Sequence, residues 1–429
     1  MRLILVDRPS GKRINFYPLA LSRPIWELRC GMYTLAEQLV AKLKPAEVAC
    51  FVPAYLAETY RAATQRPVND AGQLAGDDLL IVAARVKAAG FPFDPTGPST
   101  VACDADGEVL VARIAQADLA QLDASSIDAL LDSAKAKLHR SDSQAPAWNY
   151  TWDLVLANPA QLTADFAAAG RTGIEGMVEQ PAALRGGHND VYIAPEVKIH
   201  PMVVLDAEHG PIYIDEGAEI HPFTRIEGPC YIGRKSILLG AKCREGNSIG
   251  PMCRVGGEVE ESIIHGYSNK YHDGFLGHAY VGEWVNLGAL TTNSDLKNDY
   301  STVSVSLDGH GGIDTGSTKV GALIGDHTKT SIGTLFNTGA CVGAMALIAA
   351  TGKPLPKFIP SFAWFIEGVV TKGFGKQKLF ATAKMAMSRR GRTWTAADEA
   401  LWNEIFNMTA PERNEAVKKG RRELAAAQK

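Results

Sequence analysis

Aliphatic residues recur at every sixth position through much of the second half of the chain. Such steps link Ile193 with Ile199, Ile214 with Ile220, Ile226, Ile232 and Leu238, Ile249 with Val255, and Val281 with Leu287. A period of six fits neither the 3.6-residue turn of an α-helix nor the two-residue alternation of a simple strand. It is typical of a parallel β-helix with three short strands per coil. We therefore predict a β-helix over residues 190–350.

Glycine directly follows several of these aliphatic residues, as in Ile232–Gly233 and Val281–Gly282. We expect the aliphatic side chain to point into the core and the glycine to supply a positive φ at a corner. Glycine-rich loops of an ordinary β-sandwich are the alternative, but they would have to produce four equal steps by chance. The repeat is interrupted twice, by an extra loop between residues 255 and 276 and by a glycine-containing hairpin around residues 302–320.

The chain before the repeat, residues 1–185, alternates strand-like and helix-like patterns. The runs RLILV, EVACFV and DDLLIVAARV predict strands, and MYTLAEQLVAKL and AYLAETYRAAT predict helices. Such alternation indicates an α/β domain with a mostly parallel sheet.

The chain after the repeat, residues 351–429, predicts a helical extension. Its prolines end the coil, and KQKLFATAKMAMSRR and TAADEALWNEIF have helical spacing. Thr395 with Asp398 forms a capping arrangement at the start of the second helix. Trp364, Trp394 and Trp402 are expected to pack the extension against the β-helix.

Composition narrows the class of protein. A chain of 429 residues with a formal net charge of −3 predicts two or three domains and no nucleic-acid partner. From residue 353 onwards 15 Lys and Arg face 7 Asp and Glu, a basic surface that is most simply solvated. Seven scattered cysteines indicate reduced thiols. No apolar run reaches the length of a membrane span, so the cytoplasm is the expected location.

Candidate chemistry lies in the first interruption, in the segment NKYHDGFLGH. His272 could act as a general base near neutral pH, with Asp273 or a backbone carbonyl setting its tautomer. A solvated loop histidine is the alternative reading of the spacing alone.

The stretches SNKYHDGFLGHAYVGEWVNLGALTTN and TKVGALIGD resemble the acetyltransferase half of the bifunctional GlmU-type family. That resemblance implies a left-handed β-helix that forms a homotrimer and acetylates a sugar amine from acetyl-CoA. It also implies roles for individual residues. The general base would be His272, the substrate contacts would be Asn269, Lys270, Asn286 and Lys319, and the coenzyme contacts would be Ala289 and Asn293.

The sequence departs from the family pattern at two places in this half. Phe275 occupies the position of an aromatic hydroxyl, so the identity of the sugar is left open. An upstream phosphate-binding Arg and Lys pair has no clear equivalent, although Arg244 and Arg254 lie in the preceding coils.

The first segment is similar to a divergent branch of sugar-1-phosphate nucleotidyltransferases, through RPIWELRCGMYTLAEQL, LLIVAARV and YTWDLVLANPAQLTADF. That resemblance implies that Lys12, Arg13 and Arg23 bind nucleotide phosphates. The alternative is that these residues are ordinary surface charges. Mg²⁺ would be required only if this domain is active. Arg85 stands where a metal-binding carboxylate is expected, and its charge would repel Mg²⁺.

The leading hypothesis is a transferase of nucleotide-sugar metabolism, with an acyltransferase β-helix and a nucleotidyltransferase-like domain. Its substrate would be an amino sugar or a sugar phosphate, and no resident metal is predicted. The first alternative is a trimeric scaffold that carries a nucleotide-sugar-binding domain. The second is a β-helix metalloenzyme of the gamma carbonic anhydrase kind, in which His272 and His278 would need a further histidine from another subunit.

Overall fold

The computed structural model describes residues 1–9, 11–92, 94, 96–141 and 144–427. The chain divides into two compact units. The N-terminal unit contains residues 1–16, 22–28 and 33–149. The β-helix unit contains residues 17–21, 29–32 and everything from residue 150 onwards.

The N-terminal unit is built on a six-stranded sheet. Its strands are, in spatial order, Glu47–Phe51, Arg2–Val6, Leu79–Ala83, Val109–Ile114, Thr100–Cys103 and His139–Arg140. The first three are parallel, and Val109–Ile114 is antiparallel to both of its neighbours. The α/β class is confirmed, although the sheet is mixed where a mostly parallel one was expected.

Helices and turns join these strands. The α-helices of this unit are α1 (Leu35–Leu43), α2 (Ala57–Ala63) and α3 (Ile127–Lys137), and a further short strand is Tyr33–Thr34. Its 3₁₀ helices are Gly11–Phe16, Ile25–Glu27, Ala54–Leu56, Ala71–Leu74 and Gln116–Gln121. A capping box begins α1, because the Thr34 side chain accepts from the Glu37 amide while the Glu37 carboxylate accepts from the Thr34 amide.

The β-helix unit stacks short parallel strands on three faces, as the six-residue period predicts. The first face contains Gly173–Ile174, Val191–Ile193, Ile212–Ile214, Cys230–Ile232, Asn247–Ile249, Ile263–Gly266, Tyr280–Glu283, Leu323–Ile324, Cys341–Val342 and Phe358–Ile359. The second face contains Met177–Val178, Lys198–Ile199, Glu219–Ile220, Asn269–Lys270, Lys329–Thr330, Leu347–Ile348 and Trp364–Ile366, and the third contains Ala183–Arg185, Val204–Asp206, Arg225–Glu227, Phe275–Gly277, Thr292–Asn293 and Leu335–Phe336. Two longer strands, Ile237–Cys243 and Arg254–Glu260, run from the second face into the third.

The aliphatic repeat forms the core of the coils. Ile214, Ile220, Ile226, Ile232 and Leu238 are all fully buried. The parallel ladders keep equivalent residues aligned, since Ile214 pairs with Ile232 and Ile220 pairs with Leu238. Strands begin at Gly173–Ile174, so the coils already start before residue 190.

The expected role of the repeat glycines is wrong in one respect. Gly233 and Gly282 do not have positive φ; instead, residues two positions later, Lys235 and Trp284, take φ of 56° and 60° at the corners. Glycine is needed for close approach, because a Cβ on Gly233 would lie 2.8 Å from the Ile249 carbonyl oxygen of the next coil. Contact between stacked backbones therefore selects glycine at this position.

The remaining elements of this unit flank the coils. They are the 3₁₀ helices Leu19–Leu21 and His188–Asp190, the strand Arg29–Cys30, and helix α4 (Thr151–Ala169). The predicted hairpin is confirmed by antiparallel pairing of Ser304–Val305 with Ile313–Asp314.

The C-terminal extension contains α5 (Lys376–Ser388), α6 (Ala396–Met408) and α7 (Ala410–Ala427), preceded by the strand Val369–Thr371. The first two helices and the Thr395–Asp398 capping box were predicted, and α7 was missed because Pro411 and Gly420 lie within it. The Trp402 ring packs edge-on against Phe362 at 6.1 Å, which confirms its expected role against the coils. No helix among the described residues is long and apolar enough to cross a membrane.

Candidate functional site

His272 lies on the turn between Asn269–Lys270 and Phe275–Gly277, at the corner where the second face meets the third. Its side chain is exposed. Within the described chain its ring contacts the Tyr271 ring edge-on, with centroids 5.7 Å apart, and makes no hydrogen bond to Asp273. The predicted base is therefore accessible to a ligand.

Lys270 fixes the backbone of this turn. The side chain is buried, and its Nζ donates to the carbonyl of His272 at 2.6 Å and to that of Gly256 at 2.9 Å. Burial lowers the pKa of Lys270 to about 8. Its ammonium is directed at the loop and holds His272 in place, and direct contact with a substrate stays a prediction.

Exposed apolar side chains continue along the corner that carries His272. We call Phe223, Leu239, Leu290 and Ile332 the apolar edge; they are 75%, 42%, 62% and 73% exposed. Leu239 pairs with Gly256, which lies against the Tyr271 carbonyl, and the Leu290 amide donates to the Asp273 carbonyl at 2.8 Å. His272 is thus one member of a row that is otherwise hydrophobic.

Asn269 and Asn286 meet on the second face. Asn269 Nδ2 donates to Asn286 Oδ1 at 3.1 Å, and Asn269 Oδ1 accepts from Arg390 at 2.9 Å. Asn286 is exposed and Asn269 is half-buried. The structure therefore brings two predicted substrate contacts together and adds Arg390, for which the sequence carries no motif.

Lys319 belongs to an ion-pair network beside the third face. Its Nζ lies 3.3 Å from Glu260 Oε1, and Arg244 lies 2.6 Å from the other oxygen of the same carboxylate. The side chain of Lys319 is 42% exposed. It retains accessible surface for a ligand, and its predicted role stays open.

The two predicted coenzyme contacts differ in their surroundings. Ala289 is half-buried, and its carbonyl accepts from Gly333 in the next coil at 2.8 Å. Asn293 is buried, donates to the Gly277 carbonyl at 2.9 Å and accepts from the Gly277 amide at 2.8 Å. These bonds tie Asn293 to the coil itself, and its contact with a coenzyme remains a prediction.

His278 is a charged centre that sequence reasoning treated only as a metal alternative. It is 3% exposed and lies between Asp295, at 2.8 Å, and Glu261, at 3.3 Å. Burial opposes its charge, but the hydrogen bonds to Asp295 and Glu261 outweigh burial and raise the pKa of His278 to about 9. His278 is therefore a buried imidazolium at neutral pH.

Two groups on the β-helix have the side chains of a metal site: Glu245, Glu260 and Glu261 form one, and His200, Glu219 and His221 form the other. The ligand atoms of His200, Glu219 and His221 lie within 4.8 Å of one another. His272 and His278 belong to no such group among the described residues. His200 and His221 lie side by side on successive coils. The sequence could have indicated this pair, because the two residues are 21 positions apart, which is close to the length of one coil.

Two of the three predicted phosphate ligands of the N-terminal unit, Lys12 and Arg13, lie in salt bridges. Lys12 pairs with Asp104 and, at 2.6 Å, with Asp106, while buried Arg13 pairs with Asp7 and donates to the Arg23 carbonyl at 3.0 Å. Arg23 is also buried. Arg13 and Asp7 line a cavity of about 20 Å³ at the carboxyl ends of the parallel strands, where α/β sheets bind ligands.

Arg85 lines the same cavity and holds carboxylates together. It pairs with Asp104 and lies 3.0 Å from Glu108 Oε2. No three His, Cys, Asp or Glu of the described part of this unit bring ligand atoms within 4.8 Å of one another. Carboxylates already paired with guanidinium and ammonium groups do not form the ligand set that Mg²⁺ prefers.

Comparison with known proteins supports the resemblance. Residues 3–172 match the family of sugar nucleotidyl transferases. A bifunctional sugar-1-phosphate nucleotidylyltransferase/acetyltransferase of Sulfurisphaera tokodaii is 37% identical over 91 residues, which cover 21% of this chain and 22% of that protein. The bifunctional protein GlmU of Rippkaea orientalis is 27% identical over 154 residues, 35% of this chain and 32% of that protein. The chain thus matches less than a third of the length of either relative, and its resemblance to the GlmU type is confirmed.

Solved structures of UDP-N-acetylglucosamine acyltransferases were also found. One is 15% identical, covers 57% of this chain and 93% of that chain, and has a TM-score of 0.23. The Arabidopsis enzyme is 12% identical, covers 58% and 96%, and has a TM-score of 0.26.

Proposed function

We propose that this GlmU-like protein transfers an acetyl group from acetyl-CoA to the amine of an amino sugar that carries a phosphate or a nucleotide. His272 would be the general base. The observation that carries the proposal is the accessible His272 ring on the apolar edge, because a second copy covering that edge would enclose the ring. A homotrimer through the β-helix is part of the same proposal.

The reaction needs few groups. His272 takes a proton from the sugar ammonium and releases it to solvent, and the freed nitrogen attacks the thioester carbonyl. His272 then takes the second proton from that nitrogen and returns it to the coenzyme sulfur as the C–S bond breaks, which leaves the amide and the free thiol. Lys270 positions His272 through its backbone. Asn286 would hold the sugar, and Lys319 would neutralise its phosphate.

Thiol release from acetyl-CoA tests the base. With a panel of amino-sugar phosphates and nucleotide-linked amino sugars, we expect His272→Ala to lower kcat by about 10²–10⁴-fold, the usual contribution of a general base. His209→Ala removes another exposed histidine and should leave turnover unchanged. Equal turnover in the wild type and His272→Ala would eliminate His272 as the base.

Sedimentation velocity tests whether a second copy covers the apolar edge around His272. Leu290→Glu places a charge on the apolar edge and should both dissociate the oligomer and reduce turnover, because burial of an unpaired carboxylate is unfavourable. Tyr300→Glu alters another highly exposed apolar side chain, 72% exposed, and should do neither. A wild type that is monomeric at micromolar concentration and fully active would contradict the proposal that a second copy covers the apolar edge.

For the N-terminal unit we propose sugar-1-phosphate nucleotidyl transfer, on the basis of the family match over residues 3–172. Because the paired carboxylates around Arg85 do not fit Mg²⁺, no catalytic step is assigned to a metal here. Pyrophosphate release from nucleoside triphosphates and sugar 1-phosphates measures the activity. If no triphosphate and sugar phosphate react, the unit is a binding domain, as in the scaffold alternative.

A further inference from the structure

A cavity of about 520 Å³ lies within the β-helix unit, between the second face of the coils and α5. Asn269, Asn286 and Lys329 line it from three successive coils, where they pair with one another at the same register. Arg254 pairs with Asn269 one coil further on. Since neighbouring parallel strands lie about 4.8 Å apart, these four side chains form a polar column about 14 Å long.

The helical side of the cavity is basic. Lys378, Arg389 and Arg390 line it from α5 and the residues that follow, and Lys329 lines it from the coils. No carboxylate is among the described residues that line it. A concave surface with several cations and no acidic group raises the local concentration of anions.

Arg254 of the polar column and Arg390 of the cavity lie close enough for their charges to repel each other. Burial lowers the pKa of Arg254, and the neighbouring Arg390 guanidinium lowers it further. Burial also lowers the pKa of Lys329 to about 7. A bound anion would relieve both effects, because it stabilises the protonated forms.

Three groups in the cavity have donors to spare. Arg390 donates one guanidinium nitrogen to Asn269, and its buried Nε has no hydrogen-bond partner among the described residues. Lys378 is exposed and forms no salt bridge within the described part of the chain. The amide of exposed Asn286 can also reach a ligand. These donors suit the oxygen atoms of a phosphate.

We propose that this cavity, formed by the polar column and α5, binds an organic phosphate or diphosphate. Arg390 and Lys378 neutralise the phosphate oxygens, and Asn286 donates a further hydrogen bond. The phosphate could come from the phosphoadenosine part of a coenzyme A thioester or from the diphosphate of a nucleotide-linked sugar. The assignment rests on the proposed acyl transfer, because it names the phosphate subsite of one of its substrates, but binding at this site does not require His272 to be a base.

Isothermal titration calorimetry of the full chain at low ionic strength tests the site, with pyrophosphate, adenosine 3′,5′-bisphosphate and uridine diphosphate as probes. We expect Lys378→Gln and Arg390→Gln each to weaken binding about tenfold, as loss of a charge-assisted hydrogen bond does. Lys418→Gln removes an exposed lysine of α7 outside the cavity and should leave the affinity unchanged. Added salt should weaken binding to the wild type.

The outcomes separate the sources of the phosphate. Tighter binding of the adenosine bisphosphate supports a coenzyme ligand, tighter binding of uridine diphosphate supports a nucleotide sugar, and equal binding supports recognition of phosphate alone. The proposal is overturned if no probe binds at millimolar concentration, or if Lys378→Gln and Arg390→Gln bind as tightly as the wild type. The second result would place the binding of the probes outside this cavity. His272→Ala should retain binding, which separates this test from that of acyl transfer.

Discussion

His278 should make the stability of the β-helix unit depend on pH above neutrality. The imidazolium is 3% exposed and bonded on both sides, by Asp295 and by Glu261. Its folded-state pKa of about 9 lies above the ordinary value of 6.5, so the folded protein binds the proton more tightly than the unfolded chain. The stabilisation is therefore complete below pH 6.5 and is lost as the pH rises towards 9.

The difference between 6.5 and about 9 corresponds to about 3 kcal/mol of unfolding free energy. His278→Gln keeps a hydrogen-bonding side chain but cannot carry the charge. We expect the unfolding free energies of the wild type and His278→Gln to differ most at pH 6. That difference should narrow by about 3 kcal/mol between pH 6 and pH 9.5.

Urea denaturation at a series of pH values, followed by circular dichroism, measures this difference. His209→Gln changes an exposed histidine of the same unit and should follow the wild type at every pH. Titration of the His278 ring by NMR gives its pKa directly. A constant difference between wild type and His278→Gln across the series, or a ring that titrates near 6.5, would refute the reasoning.

Two further predictions concern buried groups of the β-helix unit and the cysteines. Asn158 is fully buried and forms hydrogen bonds with Gly31, Ser248 and Gly246 at 2.7, 2.9 and 2.8 Å. Asn158→Ala should therefore lower the unfolding free energy, measured in urea, by about 3 kcal/mol, whereas Asn414→Ala at an exposed position should change it little. A loss below about 1 kcal/mol in Asn158→Ala would contradict the role of this network. Burial raises the pKa of Cys243, Cys253 and Cys341 to about 12. Of the seven cysteines, Cys103 is partly exposed and the other six are buried. A thiol reagent at pH 8 should therefore modify one cysteine in the native protein and none in Cys103→Ser. Rapid modification of several native cysteines would show that the coils open.

The surroundings of His272 could be predicted from the sequence only in part. His272 stands out because it interrupts a regular repeat, and the structure places it on an accessible corner. The sequence could not predict that Lys270 binds the backbone of His272, because the acceptors of the Lys270 ammonium are carbonyl oxygens, which every residue has. Arg390 lies 121 residues from Asn269 and reaches it only through the path of α5.

The repeat by itself determined the β-helix, since a six-residue aliphatic period can be buried in a three-sided coil and in neither a regular helix nor a single strand. The strands of the N-terminal unit and helices α5 and α6 were likewise evident from local periodicity and capping. Only the tertiary structure decided which side chains share a surface. The column of Arg254, Asn269, Asn286 and Lys329, and the burial of His278 between two acids, arise when successive coils stack, and stacking brings together residues whose spacing along the chain is set by loops of unequal length.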